Sequence, residues 1–390
     1  MYDMKVLVAH NEYVSSIPSG ENVAVERQIA ALRSVGVEVV PYIRSSDEIG
    51  TPDGPSPLRA AASTLGLSDS RRDLIRLLDD ERPDLLHLHN PFPLLSARVI
   101  RYAQSRGVPI VQTVHNFRHE CVAGTFFRDG TDCTDCLRHR SSLPGVRHAC
   151  YRGSRAQSTV MTGAQVAYRP AFRRLDRVIA LTPALVGHLT GYGFPAERVS
   201  IVPNTVPDPG TPSAPGSGVL FAGRLMPEKG VRLLAAAWSD LPEHSAGTLT
   251  IAGDGPDRAV VTDLAGRRSD VRYVGPVPPA EVGALLSAAA CVVVPSQWRE
   301  VCPLIVVEAL AHGRPVLATN RGGLPFLVGP DGGWVVEPTP AALAAGLVAA
   351  TSTGSAASHA ASARARYLRE FAPDTVTEKL VAVYEQTLQR

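Results

Sequence analysis

The chain has 390 residues, 45% of them hydrophobic and 19% charged, with a formal net charge of +2. That length exceeds what one hydrophobic core usually holds, so two domains are expected, and the near-neutral balance excludes a protein working through a strong basic field on nucleic acid. No apolar run reaches the roughly 18 residues of a membrane span, and MYDMKVLVAH runs into a strand-like segment without a cleavable signal pattern, so the protein is expected in the cytoplasm, free or at the membrane periphery.

Short apolar, β-branched runs recur between longer amphipathic stretches. In the first half they are Lys5 to Ala9, Val37 to Ile43, Asp84 to His89, Pro109 to His115, Arg177 to Leu181 and Val199 to Val202. Most lack alternation, as strands covered on both faces do. Ala24 to Ser34 shows apolar residues at helical spacing and ends at Gly36. Strand, helix, strand in this order predicts parallel pairing with right-handed crossovers.

Residues 207–218, PDPGTPSAPGSG, read as a linker. The rhythm then restarts with Val219 to Ala222, Thr248 to Ala252, Val271 to Val274, Cys291 to Val294, Pro315 to Ala318 and Gly333 to Val336. The expected fold is α/β: two doubly wound, Rossmann-like domains, residues 1–206 and 219–372, facing across a cleft. Residues 373–390 read as a helix that could cross back to the first domain. In such folds ligands bind beyond the carboxyl ends of the strands.

The strongest chemical signal is PSQWREVCPLIVVEAL, where Glu300 and Glu308 stand eight apart with Pro303 between them. A helix opening at Pro303 or Leu304 would aim free amides at an anion such as a diphosphate. Glu300 would lie in the loop before it and Glu308 inside it. Glu308 is flanked by Ile305, Val306, Val307, Ala309 and Leu310, an apolar setting in which a carboxylate needs a partner, although a solvated helix residue is the plainer alternative. The second signal is FAGRLMPEKG, where a strand delivers Gly223 and Arg224 and a turn brings Lys229 and Gly230. Only three lysines occur, Lys5, Lys229 and Lys379, which singles out Lys229. An Arg and a Lys beside a helix start can neutralise a diphosphate, the Arg by bidentate bonds and the Lys as a point charge.

Together these segments resemble the retaining family 4 glycosyltransferases of the GT-B fold, through a Glu-x7-Glu motif at Glu300 to Glu308 and a Gly-Arg-Leu-x-x-x-Lys-Gly element at Gly223 to Gly230. The likeness continues in IAGDGP (Ile251 to Pro256), YVGPV (Tyr273 to Val277), VPN (Val202 to Asn204) and TVHN (Thr113 to Asn116). It implies that Arg224 and Lys229 hold the donor diphosphate, Glu308 the ribose, Glu300 the outer hydroxyls of the donor sugar, and the YVGPV segment with Val274 the base. Gly253, Cys302, Pro303 and Leu304 complete the implied donor set. In the first half, His115 and Glu300 of the second are the implied catalytic pair, with His115 hydrogen-bonding the transferring sugar. Gly20, in PSGENV, resembles a glycine loop of the family that approaches the diphosphate, with Glu21 and Asn22 opening the first helix near the acceptor.

The resemblance further implies a front-face transfer in which the leaving diphosphate oxygen takes the acceptor proton. No Asp-x-Asp motif is present, so a metal-independent reaction is expected. UDP is the first expectation for the donor nucleotide and GDP the second. The acceptor class stays open among a glycan, a lipid-linked sugar and a small metabolite.

Cys121, Cys133, Cys136 and Cys150 give C-x11-C-x2-C-x13-C inside an insertion at about 119–153. The spacing suits a structural Zn²⁺ with His119, His139 and His148 as alternative ligands; free thiols or two disulfides fit it too. Cys291 and Cys302 are unrelated to it. A nicotinamide oxidoreductase is excluded, because Gly253-Asp254-Gly255 lacks the third glycine of the dinucleotide fingerprint. A sugar phosphorylase, a nucleotide-sugar epimerase and a non-catalytic nucleotide-sugar sensor are the other readings.

Overall fold

The computed structural model describes residues 4–16, 19–67, 72–96 and 98–389. Its strands are β1 (Lys5–Glu12), β2 (Glu38–Ser45), β3 (Leu85–Leu88), β4 (Ile110–Val114), β5 (Phe127–Arg128), β6 (Thr131–Asp132), β7 (Arg177–Ala180), β8 (Val199–Ile201), β9 (Val219–Ala222), β10 (Leu249–Ala252), β11 (Val271–Gly275), β12 (Cys291–Val294), β13 (Val316–Thr319) and β14 (Gly333–Val336). The chain forms two compact units. The first holds the residues up to Phe126, Cys133–Pro203 and those from Val376 onward; the second holds Phe127–Asp132 and Asn204–Thr375.

In the first unit six strands pair in the order β2-β1-β3-β4-β7-β8, all parallel. Every residue of β3 and β4 is buried, which is why their sequences run apolar without alternation. Val6, Val8, Leu85 and Val111 share a core with Val25, Ile29 and Leu32 of the helix Gly20–Ser34. The same core takes Val376, Leu380, Val381 and Tyr384 from the helix Pro373–Leu388. The last helix therefore packs in the first unit.

The second unit repeats the plan, with strand order β11-β10-β9-β12-β13-β14, again parallel throughout. Its core gathers Phe221, Leu234, Trp238, Ile251, Val293 and Leu317. Two doubly wound Rossmann-like units in one chain are the GT-B pattern. In each, successive crossovers leave the central strand toward opposite edges, which creates a switch point between β1 and β3 and another between β9 and β12.

Residues 207–218 belong to the second unit and are held along it. The fully buried Arg314 donates to the Ser213 carbonyl (3.0 Å) and hydroxyl (2.7 Å) and to the Ala214 carbonyl (3.1 Å). Arg364 grips Asp208 at 2.7 and 2.8 Å. The composition of the stretch supplies no core side chains, and its carbonyls serve as acceptors instead.

The cysteine-bearing segment forms the β5–β6 hairpin and two short helices, Asp135–Arg138 and Leu143–Arg147. Within the second unit, Arg299 holds Asp132 of that hairpin through two bonds of 2.8 and 2.7 Å. Here the zinc expectation is corrected. Among the described residues no three His, Cys, Asp or Glu side chains are arranged to hold a metal ion, and Cys121, Cys133, Cys136 and Cys150 are half-buried and in no disulfide. Spacing fixes which residues are near in sequence but not which way their thiols point. The segment is ordered by packing: Gly145 lies so close to Val122 that an added Cβ would stand 2.5 Å from its methyl. No single helix among the described residues is long and apolar enough to cross a membrane.

Candidate active site

In the second unit β9 ends at Ala222, and Gly223 then donates to the Ala252 carbonyl (3.0 Å). Gly253 takes φ +140, and a Cβ there would lie 1.8 Å from the Gly223 carbonyl oxygen. The loops after β9 and β10 thus touch backbone to backbone. Leu225 is fully buried and pins the loop, leaving Arg224 half-buried with no ion pair among the described residues. A single 3₁₀ turn, Pro227–Lys229, follows and closes on Gly230 at φ +76, whose added Cβ would meet the Pro295 carbonyl at 1.8 Å. That contact brings the loop after β9 against the loop after β12, across the switch point.

The consequence is a buried pair. Glu300 is 4% exposed, and its Oε1 accepts from Lys229 Nζ at 2.7 Å and from the Ser296 hydroxyl at 2.7 Å. Burial pushes the Glu300 carboxyl up, but the Lys229 charge and these bonds outweigh it and hold the pKa below the ordinary carboxylate range. Lys229 also lies 4.9 Å from the centre of the Trp298 ring. The loop is fixed from behind. Thr319 donates to the Ser296 carbonyl at 2.5 Å, and Gly323 donates to the Glu300 carbonyl at 2.7 Å. Gly322, at φ +56, would put a Cβ 2.2 Å from that same carbonyl.

The helix Leu304–Ala311 opens with Pro303 at its N-cap and no side-chain cap. The amides of Leu304 and Ile305 make none of the described backbone hydrogen bonds outside the helix, as expected of an anion-accepting helix start. Glu308 is half-buried between buried neighbours Val307 and Ala309. Cys302 is buried, which pushes its thiol up to about 12, and its carbonyl is tied to the Asn204 side chain at 3.0 Å. Val274 is half-buried near the end of β11, whose last residue, Gly275, accepts from the Gly253 amide at 2.7 Å.

The second unit therefore brings the anticipated Lys229 and Glu300 into direct contact and sets Arg224, Gly253, Cys302, Pro303 and Leu304 on the adjoining loops. Ser296, Trp298, Thr319 and Asn204 were not singled out for the roles they take. The Gly322-Gly323 pair just after β13 was the one available signal for the backing loop.

In the first unit His115 follows β4 directly, and its Nε2 lies 2.9 Å from His89 Nδ1. Burial pushes His115 down to about 3, so it is neutral at physiological pH. A series of rings continues inward. His87 contacts the Tyr384 hydroxyl (2.6 Å) through Nδ1 and the Thr113 hydroxyl (2.8 Å) through Nε2. His10 Nδ1 accepts from the Asn90 amide at 3.4 Å, so its Nε2 carries the proton and donates to Asn22 Oδ1 at 3.2 Å. A narrow cavity of about 30 Å³ is lined by His115, His89, Asn116, Arg118 and Glu21. Gly20 is the exposed first residue of its helix, where the Ser19 hydroxyl caps the Asn22 amide at 3.4 Å. His10, His87 and His89 were passed over; the HLHN alternation at the end of β3 carried the signal.

Comparison with known proteins bears on the family and the fold. Residues 19–205 match the glycosyl transferase 4-like domain, and residues 216–352 match glycosyl transferases group 1. A glycogen synthase of Mycobacterium tuberculosis is 29% identical over 254 residues, 62% of this chain and 53% of that protein, so the chain spans about half the length of this relative. A GDP-mannose-dependent alpha-mannosyltransferase of Mycolicibacterium smegmatis is 28% identical over 340 residues, 84% of this chain and 82% of that one. Among solved structures, Anabaena HepE in complex with UDP superposes with a TM-score of 0.66 at 18% identity, covering 98% of this chain and 100% of that one. Sucrose-phosphate synthase of Thermosynechococcus elongatus gives 0.69 at 19%, covering 99% of each. The two family matches take in most of both Rossmann-like units, and the chain belongs to the group 1 glycosyl transferases of family 4 type, with the GT-B fold.

Proposed function

We propose that this glycosyltransferase moves a sugar from a UDP-sugar to a hydroxyl acceptor with retention of anomeric configuration and without a catalytic metal. The buried Lys229–Glu300 pair at the β9–β12 switch point carries the reading. Two fixed cations, Arg224 and Lys229, meet the diphosphate charge together with the helix start at Leu304. Glu300 takes the donor sugar's hydroxyls, Glu308 the ribose, and the backbone around Val274 and Gly253 the base. Gly20 is kept in the proposal as a donor contact and Cys302 as a carbonyl that shapes the loop.

His115, neutral through burial, serves as a hydrogen-bond partner for the transferring sugar rather than as an acid. The leaving diphosphate oxygen removes the acceptor proton, so the site needs no protein nucleophile. UDP is favoured because solved neighbours bind it; the GDP-mannose-dependent relative makes GDP the second candidate. Six cysteines without a disulfide among them support a reducing, cytoplasmic setting, peripheral to the membrane where the acceptor is lipid-linked.

Calorimetry with UDP, GDP and their sugars tests the donor assignment, and binding of none of them would refute it. Proton NMR of the first-formed anomer tests retention. Turnover that survives EDTA is expected; loss restored by Mg²⁺ would refute metal independence. Turnover by Glu300→Ala with wild-type rate would favour the non-catalytic role for that residue.

A further inference from the structure

From Cys136 to Leu175 the chain carries eight arginines and no Asp or Glu, within a protein of net charge +2. All eight are exposed, and two of them, Arg140 and Arg169, line a cavity of about 970 Å³ bounded by the helix Arg155–Phe172, the cysteine-bearing segment and the helix Pro183–Tyr192. This size suits a whole small ligand.

Its lining divides into two chemistries. Leu137, Leu143 and Val166 are 37%, 69% and 70% exposed, an unusual clustering of open apolar side chains. Arg140 and Arg169 supply charge, with Arg169 stacked 4.9 Å from the Tyr192 ring centre. The single carboxylate among the lining residues, Glu120, is hydrogen-bonded to His188 at 2.9 Å, which leaves two arginines against one carboxylate.

The cavity shares a wall with the narrow one beside His115, since His119, Gln165 and Tyr192 line both. Gln165 is fixed in that wall by the Ser142 hydroxyl at 2.6 Å. Both ring nitrogens of His119 are buried without a partner, and burial keeps the ring neutral, down to about 3. A buried imidazole with neither nitrogen satisfied is built to meet a polar group of a ligand.

We propose that this cavity binds an amphiphilic phosphate ester, with the hydrocarbon part on Leu137, Leu143 and Val166 and the phosphate on Arg140 and Arg169. Resting on the glycosyltransferase reading, that ligand is the acceptor, its hydroxyl-bearing end lying toward His119. The occupant is a single amphiphile molecule in the cavity, not a bilayer surface against the arginines.

The test is calorimetry with octyl phosphate below its micellar concentration, against octyl glucoside and inorganic phosphate. Octyl phosphate is expected to bind at least about tenfold tighter than either, and Arg140→Ala/Arg169→Ala to lose about tenfold or more of that affinity. UDP affinity and the thermal midpoint should be unchanged in this double variant. Equal binding of octyl glucoside, or of inorganic phosphate, would overturn the proposal. So would sedimentation with phosphatidylglycerol vesicles in the absence of octyl phosphate binding. UDP failing to bind while octyl phosphate does would uphold the cavity's chemistry and overturn its assignment to an acceptor.

Discussion

Replacing Lys229 by methionine removes the only cation that, among the described residues, is bonded to the Glu300 carboxylate, a group 4% exposed. Breaking a buried pair from one side costs about 3–5 kcal/mol. The bond from Ser296 survives the change, which places the expected loss near the lower end, about 3 kcal/mol at pH 8. The carboxyl can relieve part of this by taking a proton, and the relief makes the loss depend on pH. In the wild type the folded pKa of Glu300 lies below its reference of 4.5, so the pair's contribution is present above that value and lost on acidification. Without Lys229, burial raises the folded pKa above the unfolded one, and the native state binds the extra proton between them. Stability of the variant then falls as pH rises through that window, by about 1.4 kcal/mol per unit. The assay is urea unfolding at pH 5 to 8 followed by tryptophan fluorescence, because Trp238, Trp298 and Trp334 all lie in the second unit. The deficit should shrink toward pH 5, and Lys229→Met/Glu300→Gln should regain most of it. A deficit independent of pH, or a double variant no better than the single one, would refute the reasoning.

Arg224→Ala should weaken UDP binding about 10- to 100-fold, the loss of one or two charge-assisted bonds, with an unchanged urea midpoint; calorimetry and unfolding together check this. Gly322→Ala adds a Cβ at φ +56 only 2.2 Å from the Glu300 carbonyl, and should cost about 1–3 kcal/mol while lowering donor turnover. A fully stable and active variant would contradict the backing role. His87, His115 and His119 are each pushed down to about 3 by burial, while the unfolded chain titrates near 6.5. The unfolded state therefore takes up the protons first. Stability of the first unit should fall as pH drops from about 6.5, by up to about 1.4 kcal/mol per unit for each ring; a thermal midpoint flat between pH 7 and 5 would count against it.

The central strands were readable because parallel strands buried on both faces are continuous apolar runs, and Val219 to Ala222 and Cys291 to Val294 coincide with β9 and β12. Lys229 was readable as one of only three lysines, placed just after a strand end, and Glu300 through its spacing to Glu308 across Pro303. Their contact was not, since it depends on Gly230 meeting the Pro295 carbonyl between loops 71 residues apart in the pair they join. Ser296 and Thr319 escaped notice because a hydroxyl in a loop carries no pattern. The cysteines misled in the opposite direction: spacing alone suggested a metal, whereas a metal site needs at least three ligands converging in space, and none of the described residues form such a group. His87 was hidden because its partner, Tyr384, lies 297 positions away.

That last contact bears on how the protein comes into being. The segment of the second unit from Asn204 to Thr375 is a single continuous stretch and can settle as it leaves the ribosome. The first unit cannot finish then, although most of it was made earlier. Its core still lacks Val376, Leu380, Val381 and Tyr384, each a large side chain whose burial contributes about 1.5–3 kcal/mol, and His87 waits without the hydroxyl of Tyr384. The half synthesised first is thus the half completed last. Removing the final helix should leave the second unit folded and the first exposed to proteolysis.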